Sequence, residues 1–506
     1  MRRTRIHGAI VVVLLYAAGT RAQQYASCNN VLKPAYPPPV VGSGWVAQLI
    51  ANNLNKPRGI IFDDNDNLLV VERGVGIRRL IFHQVDNEAC LSIAETKSVT
   101  EFQDLNHGIA LSNDGKTLFA SSTDKVYAWA YNASSGSLGD QRTVVQNMNV
   151  NGNGHVTRTL LMSSKQPGML LVSKGSGDNV DDRARDRSTG VSQIRAFNMS
   201  NLPNTPYDYA SEGTMLGWGL RNSVGVAEEP ITGGIFSVEN SVDQITRDGT
   251  DIHQDNPGEE MNFHGFLNGS TDNQGGNYGY PDCYALWDTD IPDVGSMGVG
   301  SQFSQEQNAT LNDTTCSETR VAPRLTFQAH MAPLDMTFNS NGTEAYVTFH
   351  GSWDRDNPSG YKVSSIQFAN GQPVAPFTST ESTADMLSNA DNSACPDSCF
   401  RPVGLAIDTL GRVYMSSDTT GEIYIMAKAE ITALGGPSPT TSSGMPSATD
   451  SSSAGHGIGP RAYVGYGGGG GEGAGWGFGL TALACFVTGL GAWAAFPVVE
   501  PRARRA

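Results

Sequence analysis

The chain has 506 residues, with 34 Lys and Arg against 50 Asp and Glu, a net charge of −16 and an isoelectric point near 5.0. Scattered cations in an acidic chain argue against a nucleic-acid partner, which needs a clustered basic face. Gly, Asn, Asp and Ser turns alternate with short apolar runs, and long amphipathic stretches are few, so the composition argues against a helical protein and for an all-β one.

The chain opens on Arg2, Arg3 and Arg5, an apolar run from Ile10 to Ala18, and a small-x-small step at Thr20-Arg21-Ala22 before Gln23. This pattern predicts a secretory signal over residues 1–22. The apolar run is shorter than the roughly 18 residues that span a bilayer.

Residues 23–430 form the body. Six segments there share one pattern: a polar head, an apolar strand, a polar turn and a second apolar strand. They are PRGIIFDDNDNLLVVERG, headed by Arg58; NHGIALSNDGKTLFASS, by His107; and GHVTRTLLMSSKQPGMLLVSKG, by His155. The others are LRNSVGVAEEPITGGIFSVE, headed by Arg221; AHMAPLDMTFNSNGTEAYVTFHG, by His330; and FRPVGLAIDTLGRVYMSSD, by Arg401. Repeated β units of this spacing predict a six-bladed β-propeller. If each first strand begins near the axis, three Arg and three His converge on one mouth, as a site for a flat, multi-carboxylate anion requires. Two long insertions interrupt the repeat, between His155 and Arg221 and from about Asp251 to Pro323, and both read as functional loops.

Six body cysteines suit an oxidising compartment, and proximity suggests the pairs Cys28–Cys90, Cys283–Cys316 and Cys395–Cys399. Sequons at Asn132, Asn198, Asn268, Asn308, Asn312 and Asn341 suit a glycosylated exterior. Residues 431–474 read as a Ser/Thr/Pro- and Gly-rich stalk. Residues 475–499 are mostly apolar and precede a basic tail, 500–506. A transmembrane stop, a cleaved lipid-anchor signal and an incorrectly assigned gene end all remain open for that segment, with a membrane tether favoured.

Several residue groups could carry chemistry. His155 follows a Gly-rich loop, and an imidazole suits a general base near neutral pH. Arg221 offers a permanently charged fork for a carboxylate or oxyanion, with Asn222 beside it. DIHQDNPGEEMN gathers carboxylates around a Pro-Gly turn with exposed carbonyls, weakly suggesting calcium. His350, Trp353 and Arg355 cluster in HGSWDR and could sandwich a flat ring or simply close a blade.

The body resembles the soluble quinoprotein glucose/sorbosone dehydrogenases, and most closely the fungal pyrroloquinoline quinone (PQQ)-dependent pyranose dehydrogenases of the auxiliary-activity class. The resemblance rests, in order, on KPRGI–LLVVERG, DLNHGIAL, GHVTRTLL, GLRNSVGV, DIHQDNPGEEMN, NYGYP, HMAPLDMTF, AYVTFHGSWDR–PSGYKV and RPVGLAIDTLGRVYMSSD. It implies a six-bladed propeller holding PQQ and calcium at one mouth. It implies His155 as general base, Arg221 beside the quinone C5 carbonyl, and calcium on the turn at Gln254 and Asp255. The cofactor contacts it leaves as candidates are Arg58, Asn106, His107, Arg158, Asn222, His330, His350, Trp353, Arg355 and Arg401.

The bacterial glucose-oxidising members place a Lys and a second Arg on the cofactor. Here FHGSWDR and Cys399 stand in that region, so bacterial sugar preference does not carry over. The implied reaction takes hydride from a pyranose sugar to PQQ, giving a lactone. Electrons then pass to an external acceptor, such as a cytochrome domain on another protein, because the chain has no CxxCH motif. The competing readings are a secreted propeller that binds glycans or a partner protein without turnover, and a calcium lactonase, which would call for carboxylates and Asn at the axis.

Overall fold

A computed structural model of the chain describes residues 32–84, 91–149, 154–268 and 274–429. The six segments each fold as a β-hairpin, and each hairpin is the inner half of four antiparallel strands in one blade; three blades add further strands at the outer edge, two of them parallel. The inner hairpins pair Pro57–Phe62 with Leu68–Glu72, Ile109–Leu111 with Thr117–Ser121, and Leu160–Met162 with Met169–Lys174. The rest pair Ser223–Glu228 with Gly234–Glu239, Pro333–Phe338 with Glu344–Phe349, and Pro402–Ile407 with Val413–Ser417. The expected six-bladed propeller is present.

The ring is closed by both ends of the body. Trp45–Ala51 forms the outer strand of the sixth blade, antiparallel to Glu422–Lys428. Lys428 Nζ lies 4.1 Å from the Trp45 ring centroid at this join. The closure leaves no blade unpaired around the circle.

Hydrophobic burial follows the circle rather than a single centre. One cluster joins blades one and two through Leu69, Val71, Ile109 and Leu118. Another joins blades four and five through Phe236, Met261, Phe338 and Phe368. Equivalent clusters fill the other four junctions. Each blade therefore buries both faces against its neighbours, which is why its strands read as nearly continuous apolar runs.

The innermost strands approach closely because glycine follows several heads. A Cβ on Gly59 would lie 2.4 Å from the His107 carbonyl, and one on Gly404 would lie 2.4 Å from that of Arg58. The strands line an axial cavity of about 280 Å³, bounded by Phe62, Ile109, Val226 and Met336 with one carboxylate, Asp335.

Sequence reading treated Asp251 to Pro323 as a loop insertion, and the structure corrects this. Glu259–Phe266 is the third strand of blade four, and its Glu259 and Glu260 are buried. Strands Cys283–Ala285 and Gln302–Ser304 pair beyond it, followed by the helix Asp313–Thr319. The disulfides Cys283–Cys316 and Cys395–Cys399 are formed, while Cys28–Cys90 lies outside the described residues. Asn132, Asn198, Asn268, Asn308 and Asn341 are exposed; Asn312 is half-buried and caps the helix by accepting from Thr315 N. The signal (1–22), stalk (431–474), apolar segment (475–499) and basic tail (500–506) also lie outside the described residues. Among the described residues no helix is long and apolar enough to cross a membrane.

Buried carboxyls make stability depend on pH. Burial pushes Asp335 up to about 7 and Glu259 up to about 8. The folded chain then holds protons that the unfolded chain has released above about pH 4. This stabilisation is complete below that pH and is lost as pH rises through 7 and 8. Urea midpoints are therefore expected to fall from pH 5 to pH 8, with Asp335→Asn flattening the slope. A midpoint that climbs over this range contradicts the assignment.

Candidate active site at the propeller mouth

All six heads lie at the same end of their inner strands. The ladder register shifts there in four blades, at Pro57/Ile60, Ser223/Gly225, Pro333/Asp335 and Pro402/Leu405. Such irregularities re-aim side chains at a strand end. Hydrogen bonds then link blade to blade around the mouth. Asn106 Nδ2 donates to the Val156 carbonyl, Ser176 N to the Arg221 carbonyl, and Asn240 Nδ2 to that of Pro333.

On one side Asp418 sits between the head Arg58 and His350. It accepts from Arg58 Nη1 at 2.5 Å and from His350 Nε2 at 2.9 Å, and these two partners hold its carboxyl well below the usual range against the cost of burial. Arg58 Nε donates to His107 Nδ1 at 3.2 Å, so the His107 proton is on Nε2. Burial and the Arg58 charge push His107 well down, keeping it neutral. Arg401 donates Nε to the His350 carbonyl and Nη2 to that of Gly351, which leaves Nη1 without a protein acceptor among the described residues. Arg73 is exposed and adds its charge to Arg58 and His107.

On the other side stand His155 and Arg221. His155 Nδ1 lies 2.9 Å from Ser176 Oγ and 3.2 Å from the Ser176 carbonyl, while Ser176 Oγ donates to the Asp178 carbonyl. A carbonyl only accepts, so Nδ1 carries the proton. Nε2 is left as a lone pair with no partner among the described residues. Burial, then the Arg221 charge, pushes His155 down to about 3, so the ring stays neutral at physiological pH. Arg221 is buried and braced by Asn179 and by Asp243 at 2.8 Å. Asn222 is buried, and its amide makes no hydrogen bond among the described residues.

Other candidates are placed differently. Arg158 is fully buried, and its guanidinium donates to the carbonyls of Met148, His155 and Thr157. It positions the His155 loop and does not reach the mouth. Arg355 Nη1 donates to the Gln254 carbonyl and, at 2.9 Å, to Asp255. A guanidinium thus contacts the carbonyl and carboxylate oxygens of the turn that resemblance gave to calcium. His330 Nε2 donates to the His253 carbonyl at 2.6 Å. Trp353 is 66% exposed.

Asn179, Asp243, Asp354 and Asp418 are functional neighbours that sequence reading missed. The signal was position: Asp418 directly follows the second strand of the last segment, and Asn179 lies in the Gly-rich insertion.

A family model described as TrAA12-like matches residues 39–429. The chain belongs to family AA12. This AA12 chain is 49% identical over 437 residues to a Hypocrea jecorina protein named PQQ-dependent sugar dehydrogenase, covering 85% of this chain and 98% of that relative. It is 36% identical to a PQQ-dependent pyranose dehydrogenase of Coprinopsis cinerea over 80% of this chain and 56% of that relative, so it spans little more than half of that protein. A solved calcium structure of the Trichoderma reesei AA12 protein superposes with a TM-score of 0.77 at 51% identity, covering 79% of this chain and 100% of that one. The holo PQQ domain of the Coprinopsis cinerea pyranose dehydrogenase superposes with a TM-score of 0.74 at 35% identity, over 79% of this chain and 99% of that one. AA12 is an oxidoreductase family, and this chain is an enzyme of that class.

The mouth of this AA12 chain suits a flat polyanion that also presents donors. Arg401 keeps a free arm of its fork, Asn222 keeps its amide, and the Asn106 Oδ1 atom is buried with no partner. A buried acceptor left unpaired carries a cost that a ligand donor removes.

Proposed function

We propose that the chain oxidises a pyranose sugar at its anomeric hydroxyl, with PQQ seated at the propeller mouth, and delivers the electrons to an external acceptor. The observation that carries this reading is the unpartnered Nε2 lone pair of His155 beside the braced Arg221 guanidinium. PQQ supplies a two-electron, hydride-accepting quinone. His155 takes the hydroxyl proton on Nε2, and its Nδ1–H stays anchored to Ser176 as the ring becomes cationic. Arg221 keeps one Nη1–H outside its hydrogen bonds among the described residues, available to stabilise developing negative charge. Arg401 and Asn222 hold and orient the anion. The signal pattern at residues 1–22 and the two described disulfides support a secreted enzyme.

The test adds PQQ to the purified chain, then a panel of sugars with a dye acceptor. Sugar-dependent dye reduction that requires PQQ is expected. Arg401→Ala is expected to weaken PQQ binding about tenfold or more, since a hydrogen bond to a charged group contributes ~1.5–3 kcal/mol. Absorbance titration reads this, and unchanged affinity would remove Arg401 from the cofactor site.

A second reading, glycan capture without turnover, has the exposed Trp353 face in its favour, because sugars stack on aromatic rings. Sugar binding with no PQQ uptake and no dye reduction would select it.

A further inference from the structure

Two acids lie buried side by side in blade four. Glu239 ends the strand Gly234–Glu239, and Glu260 stands opposite it on the strand Glu259–Phe266. Each is 4% exposed. One amide serves both: Asn262 Nδ2 donates to Glu239 Oε2 at 3.2 Å and to Glu260 Oε2 at 2.9 Å. Burial, then the neighbouring Glu260, pushes Glu239 well up.

The other oxygen of Glu239 leads towards the active site. Oε1 accepts from Arg221 N at 2.5 Å. The Arg221 carbonyl accepts from Ser176 N of blade three at 2.8 Å. The Ser176 carbonyl accepts in turn from His155 N at 2.9 Å and lies 3.2 Å from His155 Nδ1. A single row of hydrogen bonds thus runs from a buried acid through two peptides to the imidazole. Bonds in such a row polarise one another and share their geometry. The guanidinium end of Arg221 is held separately, by Asn179 and Asp243. Glu260 makes no bond to this row among the described residues.

We infer that Glu239 is a positioning residue for both Arg221 and His155, acting through the Arg221 and Ser176 peptides. Without its oxygen the Arg221 N–H is buried and unpaired, and the peptide turns to find another acceptor. That movement carries the Arg221 carbonyl away from Ser176, and with it the anchor of His155. The roles of Arg221 and His155 rest on the sugar-oxidising reading; the row itself does not.

The experiment compares Glu239→Leu, Glu239→Gln and Glu260→Leu in the full chain. Glu239→Leu is expected to lower turnover at saturating sugar about ten- to a hundredfold with KM changed less than about threefold, because misplaced reacting groups slow chemistry more than binding. Glu239→Gln is expected to recover most of the rate, since an amide oxygen accepts from Arg221 N and resembles the neutral acid. Glu260→Leu loses an equally buried acid and is expected to stay within about twofold of wild type. Equal losses in the two leucine variants, or a glutamine variant no better than leucine, overturn the inference. Hydrogen–deuterium exchange without cofactor or sugar gives a readout independent of turnover. The Arg221 and Ser176 amides are expected to exchange slowly in the wild type and Glu239→Gln, and at least tenfold faster in Glu239→Leu, while the strand Ser223–Glu228 keeps its protection. If Glu239→Leu does not fold, Glu239→Asp, which withdraws the oxygen, replaces it with the same expectation. Rapid exchange of either amide in the wild type overturns the inference whichever variant folds. A wild type that oxidises no sugar with PQQ sinks the proposed function, and the exchange rates then decide the positioning row alone.

Discussion

Replacing His155 with alanine is expected to lower sugar-dependent turnover by about 10²–10⁴-fold, the usual span for a lost general base. The argument is positional. Ser176 fixes the Nδ1–H tautomer, and the remaining nitrogen has no partner among the described residues. The ring's only hydrogen-bond partner among the described residues is Ser176, so the variant should melt near the wild-type temperature and bind PQQ with similar affinity. Because burial and Arg221 push the ring down to about 3, the wild-type rate should show no loss from this group between pH 8 and pH 5. Stopped-flow reduction of the cofactor by sugar separates chemistry from binding. A folded variant that reduces at a near-normal rate would mean the base lies elsewhere. A variant that loses PQQ affinity and stability together would make His155 structural.

The largest stability effect is expected at Arg247. Its side chain is fully buried and grips Asp313 with both terminal nitrogens, at 2.8 and 2.6 Å. It also donates to the Ser304 carbonyl and lies 5.9 Å from the Phe303 ring centroid. Asp313 in turn accepts from Ser304 N, so one ion pair ties together the short hairpin Thr246–Asp251, the strand Gln302–Ser304 and the helix beyond it. Arg247→Ala strands a carboxylate there and is expected to cost about 3–5 kcal/mol. Urea unfolding measures the loss. Arg247→Met combined with Asp313→Leu should recover most of it, because an apolar pair of similar volume needs no counter-charge. A loss under about 1 kcal/mol for the single change would show that the pair is solvated rather than buried. This hairpin lies between Asp243 and His253 in sequence, so the same variant also tests how far the site depends on its scaffold.

Much of the fold was legible because its unit is local. Each inner hairpin is an alternation of apolar strand, polar turn and apolar strand within about twenty residues, and local alternation is what a single sequence displays. The glycines and prolines after the heads also mark strand ends. The strand Glu259–Phe266 was not legible, because Glu259, Glu260, Asn262 and His264 read as solvent-facing residues. They are buried because Ser241 N and Ala332 N satisfy Glu259, Glu239 and Glu260 share Asn262, and Ser237 bonds His264. Those partners come from other strands of the blade and from the next blade, so no local pattern announces them.

The site divides along the same line. By itself the sequence determined that six basic heads precede six inner strands, that His155 and Arg221 are among them, and that the chain matches the motifs of a quinoprotein family. Tertiary structure decided what each head can do. Closure by Trp45–Ala51 brings Arg58 beside Asp418, 360 positions away, so that arginine is neutralised while Arg401 keeps a free arm. Arg355 folds onto the Gln254 turn, and His330 donates to the His253 carbonyl. The physical reason is that residue types along a chain specify charge and hydrogen-bonding capacity. Which of those capacities remain for a ligand depends on partners that only the closed ring brings within 3 Å of one another.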